Sequence, residues 1–253
     1  ACGRVRARQL RRDRCDVAGA RGVRLEEVTF TSCGTESNNW AIAAAVELGR
    51  RKGQHIVTTA IEQAAVLEPC RELERRGWEV TYLQPDSQGR ISPDQLARAL
   101  RPDTVLVSMM LVNNELGTIL PVREAARVIR TAGCPALLHC DAVQGFLKVP
   151  FTPGELEVDL LSVSGHKIHA PKGVGALYIR KGLRLPPLIR GGGQEGNLRS
   201  GTEATAQFAA FAAAARLGAE TMERDVAHMA QLLAYAVEQL EMEALGLKVV
   251  LPL

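Results

Sequence analysis

Four short polar clusters, each set directly after an apolar run, and one glycine-rich segment hold the residues of this 253-residue chain that could do chemistry. The first is Ser164-Gly165-His166-Lys167. A lysine at the end of a buried strand is unusual, because burial lowers a lysine's pKa and turns it into a nucleophile for carbonyl carbons; the alternative is that Lys167 reaches out to solvent. Lysine is scarce here: six residues (Lys52, Lys148, Lys167, Lys172, Lys181, Lys248) stand against 25 arginines, and only Lys167 lies between a buried strand and a Gly/Ser/His turn. The second is Asp141, where a carboxylate at a strand end needs a cation, either a protonated pyridine nitrogen or an arginine. Gln144 follows one helical turn on, its amide directed the same way. The third is Thr31-Ser32-Cys33-Gly34-Thr35-Glu36-Ser37, a small turn that either cradles an anion or caps a helix through Thr35 or Ser32. The fourth is Asn113-Asn114, two amides costly to bury unless they bind something; otherwise the pair is a polar turn.

The glycine-rich segment 191–202 has five glycines and ends on Thr202. It meets a phosphate, meets a second subunit, or is an ordinary flexible loop.

Those clusters need a frame that brings strand ends together. The pattern predicts strands over 28–31, 55–60, 78–83, 104–111, 136–140, 159–163 and 174–179. It predicts helices over 37–51, 64–76 and 121–132, and one starting at Ser92-Pro93-Asp94-Gln95, with a capping serine and proline at the first helical position. Residues 1–24 read as the second half of a helix and a loop. Beyond Thr202 the chain reads as helix to about Met242, broken near Gly218, with a strand starting at 248–253. Strands alternating with helices predict an α/β fold around a mostly parallel sheet, in which ligands collect at the carboxyl ends of the strands.

Composition excludes several classes. A hydrophobic fraction of 46% and a charged fraction of 23% fit a globular chain, and no apolar run approaches the roughly 20 residues of a membrane span. The net charge of +3 is local: residues 1–24 hold eight arginines against Asp13 and Asp16, while the rest carries 23 basic and 26 acidic groups. That distribution, with ten aromatic residues, argues against nucleic acid as a partner. There is no GxGxxG after the first strand and no GxxxxGK[ST]. Six cysteines without CxxC spacing predict reduced cytoplasmic thiols and no metal site.

A phosphate cradle, a carboxylate for a pyridinium and an amine for an aldehyde are together what pyridoxal 5′-phosphate (PLP) requires. The residues then resemble the cysteine desulfurases, in the class V branch of the fold type I PLP enzymes. The matching strings are 30–39 (FTSCGTESNN), 112–117 (VNNELG), 139–144 (HCDAVQ), 162–167 (SVSGHK), 191–195 (GGGQE) and 199–202 (RSGT), in the family's order and spacing. The resemblance implies a three-layer α/β/α large domain over 1–218, with 219–253 a helix leading into a small domain. It implies that Lys167 bonds the cofactor's aldehyde and then moves protons, that Asp141 pairs with the ring nitrogen, and that Gln144 bonds the phenolic oxygen. Asn114 lies near the ring and the substrate carboxylate. Gly34, Thr35, Ser164 and His166 hold the phosphate, and Thr202 reaches the phosphate of the other subunit of a homodimer. The implied reaction takes L-cysteine to L-alanine and passes sulfur to a scaffold or carrier protein, for iron–sulfur clusters or thiolated tRNA. Selenocysteine lyase and a non-catalytic PLP-binding remnant are the alternatives.

Two departures stand out. Gln63 replaces a histidine that stacks on the ring and takes part in proton transfer, and a glutamine amide does not titrate near neutral pH. The family's persulfide-forming cysteine and an arginine for the substrate carboxylate lie beyond Leu253, so the chain reads as a piece of a longer enzyme. Cys33 and Cys140 read as packing rather than sulfur carriers.

Overall fold

The computed structural model describes residues 2–243. In chain order the elements are α1 (Cys2–Gly19), β1 (Val28–Thr31), α2 (Gly34–Gly49), β2 (His55–Thr59), α3 (Ala64–Arg75), β3 (Glu79–Leu83) and α4 (Pro93–Ala99). They continue with β4 (Thr104–Met110), α5 (Val122–Thr131), β5 (Leu137–Asp141), α6 (Pro153–Leu156), β6 (Leu160–Ser164), β7 (Gly175–Ile179) and α7 (Thr205–Glu243). Seven strands form one sheet in the order β1-β7-β6-β5-β4-β2-β3. Strands β3, β2, β4, β5 and β6 run parallel, and β7 is antiparallel to both neighbours. Strand β1 therefore points the same way as β6, so β1, β2, β4, β5 and β6 all end on one edge.

Period-two alternation divides the strand residues between two helical layers. Trp40, Ala41, Ile42 and Ala45 of α2, with Val66 and Cys70 of α3, cover one face. Val17 of α1, Leu96 of α4, Ala125 and Ile129 of α5, and Phe208 and Phe211 of α7 cover the other. The three-layer α/β/α fold expected from the sequence is thus present. Under α2, His139 lies between Ser108 (2.9 Å) and Ser162 (3.0 Å). Burial pushes its pKa down to about 3. It folds neutral, and its contribution to stability is lost as the pH falls below the ordinary value of 6.5, where the unfolded chain binds the proton.

Local choices agree with the expected elements, with four corrections. Helix α2 starts at Gly34 rather than Ser37, so Gly34 and Thr35 form its first turn. The expected break at Gly218 is absent: α7 runs through it, and a Cβ there would meet Leu147 Cδ1 at 2.8 Å. This glycine admits a neighbour rather than stopping a helix. Ser92 caps α4 by accepting from Asp94 N, but Gln95 returns no bond; its Oε1 is buried without a partner. Gln144 sits in consecutive turns, not a helix. Pro69 is accommodated inside α3, and Asn39 Nδ2 donates to the Ala65 carbonyl that the missing proline N–H leaves free. The strand expected at 248–253 lies outside the described residues.

Gly175 sets how closely β1 and β6 approach. It pairs with Thr31 on one side and Ser164 on the other. A Cβ at Gly175 would lie 2.8 Å from the Cys33 carbonyl carbon and 2.8 Å from the Val163 oxygen. Backbone cannot yield as a side-chain tip can, so Gly175→Ala should lower the unfolding free energy by about 1–3 kcal/mol in a urea titration. A loss below about 0.5 kcal/mol would show that this approach is not tight.

Candidate active site

The shared strand edge gathers the polar clusters. After β1, Cys33 is the N-cap of α2 in an extended conformation and offers no side-chain cap. Ser32 Oγ turns instead to Glu36 Oε2 at 2.6 Å, and Thr35 is exposed. The first-turn N–H groups of α2 are therefore not capped by the side chains of Ser32, Cys33 or Thr35, so the helix-capping alternative for this turn is not what the structure shows. Thr31 Oγ1 and Ser37 Oγ, 2.8 Å apart, fix the helix start to the strand. A Cβ at Gly34 would lie 2.7 Å from Val143 Cγ2 and 3.4 Å from Ser164 Cβ. The glycine thus brings the helix start against the ends of both β5 and β6.

Ser164 ends β6, buried, with Oγ 2.8 Å from His166 Nδ1. His166 is exposed, and burial of part of its ring, with the charges of Lys167, Lys172 and Lys148, holds its pKa below the ordinary value. Lys167 is half-buried on the 3₁₀ turn Gly165–Ile168. Lys148 is also half-buried, and burial and then the charge of Lys167 push its pKa down. Gly34, Ser164, His166 and Lys167 therefore meet at one end of the edge, in a cationic surround suited to phosphate.

Asp141 ends β5 and is buried. Its Oδ2 accepts from Asn38 Nδ2 at 2.7 Å and its Oδ1 from Val143 N at 2.9 Å. No arginine pairs with it among the described residues. Burial raises its pKa, and the Val143 and Asn38 bonds offset only part of the effect. Asn38 Oδ1 is buried without a partner. The sequence reading missed Asn38, although its position one helical turn past Gly34 puts it on the inner face of α2.

Beyond Asp141 a cleft of about 540 Å³ opens between the loops after β2 and β4, lined by Glu62, Gln63, Asn113, Asn114, Glu115 and neighbours. Gln63 is the half-buried N-cap of α3. Of the two adjacent amides, only Asn113 is buried, and its bonds are internal. Its Nδ2 donates to Ile61 O, and its Oδ1 accepts from Glu115 N and Leu116 N. Asn114 is exposed at the cleft. Gln144 is half-buried three residues past Asp141, with no hydrogen bond among the described residues. Thr202 is exposed ahead of α7 and likewise makes none, so the chain alone does not join it to the others.

The glycine-rich segment is anchored. Glu195 takes a bidentate pair from Arg14, at 2.6 Å to each oxygen, and accepts from Phe30 N at 2.8 Å; its side chain is 4% exposed. Arg14 also lies over the Phe30 ring, 4.9 Å from its centroid. Arg199 pairs with Glu36 at 2.8 Å. Burial works against the Glu36 carboxylate, but the Arg199 and Ser32 bonds outweigh it and keep its pKa below the usual range. Neither pair was foreseen, since each joins residues more than 160 positions apart.

These residues fit PLP on three observations: helix N–H groups left uncapped beside Ser164 and His166, a buried carboxylate with no cation, and an unpartnered amide oxygen beside it. Of the thiols, burial pushes Cys70 up to about 12 and Cys140 well above its ordinary value, so both are inert.

Residues 5–249 match the family described as aminotransferase class-V. The chain is 44% identical over 239 residues to the cysteine desulfurase IscS of Dictyoglomus turgidum, covering 94% of this chain and 60% of that protein. It is 50% identical over 186 residues to the cysteine desulfurase IscS of Methanosarcina thermophila, covering 74% and 46%. Among solved structures, a NifS-like protein superposes with a TM-score of 0.96 at 40% identity, over all of this chain and 68% of the other. A structure described as SspA in complex with cysteine gives a TM-score of 0.79 at 39% identity, covering 84% and 61%. The chain spans about half the length of the curated relatives it matches.

The anchoring of the glycine-rich segment can be tested apart from any cofactor. Arg14→Met strands the buried Glu195 carboxylate and should cost on the order of 3 kcal/mol of unfolding free energy in urea. Arg14→Met with Glu195→Gln should recover most of it; equal losses in the single and double variants would mean the pair is not what holds the loop.

Proposed function

The chain belongs to the aminotransferase class-V family, and from that premise we propose that it is the PLP-binding part of a cysteine desulfurase acting on L-cysteine. The observation that carries this reading is Asp141: a buried carboxylate, braced by Asn38, with no cation of its own. The names of the relatives, cysteine desulfurase in both cases, point to the same chemistry. In the proposed reaction sulfur leaves L-cysteine for an acceptor scaffold or carrier protein, and L-alanine is the other product.

When bound, PLP supplies an electron sink that stabilises negative charge at the substrate's Cα. The chain's own residues do the rest. The first turn of α2, with Gly34 and Thr35, and the hydroxyl and imidazole of Ser164 and His166 bind the phosphate. Asp141 would pair with the ring nitrogen, whose positive charge acts against the upward pull of burial and favours the carboxylate. Gln144 would offer its amide to the phenolic oxygen. Lys167 Nζ would hold the aldehyde and carry the proton taken from Cα. Gln63 and Asn114 orient the ring and substrate from the cleft loops, but Gln63 Nε2 only donates and holds no mobile proton.

We further propose a homodimer in which Thr202 reaches the partner's phosphate site, with residues 1–218 as the large domain and 219–253 leading into a small one. The anchored 191–202 segment supports the first part, because Arg199 ties it to the helix that begins the phosphate cradle. A cytoplasmic setting fits the thiols, since Cys15, Cys33, Cys70, Cys134 and Cys140 are all free. No described helix is long and apolar enough to cross a membrane.

Adding PLP to the chain should produce the visible absorbance of lysine-bound cofactor, and Lys167→Ala should abolish it while leaving the fold intact. Persistence of the same band in Lys167→Ala would sink the assignment. With cofactor loaded, Gln63→His should speed exchange of the Cα proton of L-alanine into D₂O by about tenfold or more, read by proton NMR. An unchanged exchange rate would show that Gln63 does not limit proton transfer.

A further inference from the structure

Glu62 is a buried carboxylate of the cleft that the mechanism leaves unused. It lies between the two loops that flank the cleft, and it is 5% exposed. Its Oε1 accepts from Thr59 Oγ1 at 2.9 Å, at the end of β2, and from Met110 N at 2.7 Å, at the end of β4. A second tie runs parallel to it, Asn113 Nδ2 to Ile61 O at 3.1 Å. Together these fix the loop that carries Gln63 against the loop that carries Asn114. Glu62 Oε2, by contrast, is buried with no hydrogen-bond partner among the described residues.

An ionised carboxylate would leave that oxygen charged, buried and without a donor, which is strongly unfavourable. Asp141, at the end of β5, raises the cost further, while the neighbouring thiols of Cys140 and Cys70 are held neutral by burial. We infer that Glu62 is held as the neutral carboxylic acid, its proton on Oε2, and that this neutral acid is a positioning residue that sets the Gln63 loop against the Asn114 loop. The second half rests on the PLP-site reading only for its purpose, since the crossbar itself is present without cofactor. Burial, with Asp141 adding to it against the Met110 and Thr59 bonds, pushes the Glu62 pKa up to about 8. Above that value the acid ionises, and its charge can be hydrated only if the two loops part.

The test uses the cofactor-free chain. Infrared spectroscopy should show the carbonyl band of a protonated carboxylic acid at neutral pH. The Glu62 component, taken as the difference between the unaltered protein and Glu62→Gln so that buried Asp141 cancels, should fade with a midpoint near pH 8. Hydrogen exchange of segments 60–64 and 112–117, corrected for intrinsic rates, should rise about tenfold from pH 7 to pH 9 in the unaltered chain, following the ionised fraction. In Glu62→Gln, whose amide keeps Oε1 and cannot ionise, exchange should stay flat.

A protein with no acid band at neutral pH overturns the proposal, as does an acid band of undiminished intensity in Glu62→Gln. Exchange that stays flat in the unaltered chain, or rises equally in both proteins, overturns the crossbar. Should Glu62→Gln fail to fold, the pH titration of the unaltered protein's own band and exchange decides the matter. Failure of the chain to bind PLP at any pH would instead defeat the cofactor reading and leave these measurements standing.

Discussion

Asp141 is buried at the end of a central strand with no cation beside it among the described residues, and much of the surrounding architecture follows from that cost. An isolated buried carboxylate is unfavourable by several kcal/mol unless its oxygens are bonded. Here one oxygen is held by Val143 N, in the turn that follows, and the other by Asn38 on α2. Asn38 can reach it only because α2 begins where it does, with Gly34 pressed against Val143 and Ser164. Four residues of helix rise about 6 Å. One turn of α2 therefore carries both an end with uncapped N–H groups and the brace for a carboxylate. In the proposed cofactor complex the phosphate would lie at the first and the pyridine nitrogen at the second.

The anion end raises a second electrostatic problem. Glu36 sits in the first turn of α2, where a carboxylate suits the helix dipole but repels a phosphate. Arg199 pairs with Glu36, so the negative charge is matched locally. Since Arg199 belongs to the glycine-rich segment, the same contact docks that segment beside the cradle. Glu195 docks the other half against Arg14 and the start of β1. Five glycines suggest mobility in isolation, yet two ion pairs fix the segment, and Thr202 is left at its free margin.

Much of this was legible from the chain. Apolar strands marked their own ends to within a residue or so, and the rule that ligands gather at carboxyl ends then singled out Asp141, Lys167 and the turn at Gly34. What stayed hidden depended on distance in sequence or on surroundings. The Arg14–Glu195 and Arg199–Glu36 pairs have no local signature. Gly218 reads as a helix break by propensity, but its meaning comes from Leu147 packed against it. Asn113 and Asn114 look equivalent in the sequence. Tertiary bonds to Ile61, Glu115 and Leu116 make the first structural and leave the second to face the cleft. Glu62 carries no signal in the sequence, because nothing local reveals that one of its oxygens is sealed off.

The geometry of the cleft and its proton chemistry are held by different residues. Glu62 and Asn113 tie the two flanking loops together through backbone and hydroxyl groups, and none of those bonds involves the Gln63 side chain. Gln63 needs only a backbone position, the N-cap of α3, to present its amide to the cleft. A glutamine at this position is thus compatible with the loop spacing, and it differs from histidine in lacking a group that titrates near neutral pH. In the proposed reaction any effect would fall on proton movement, which would rest on Lys167, since His166 is engaged with Ser164.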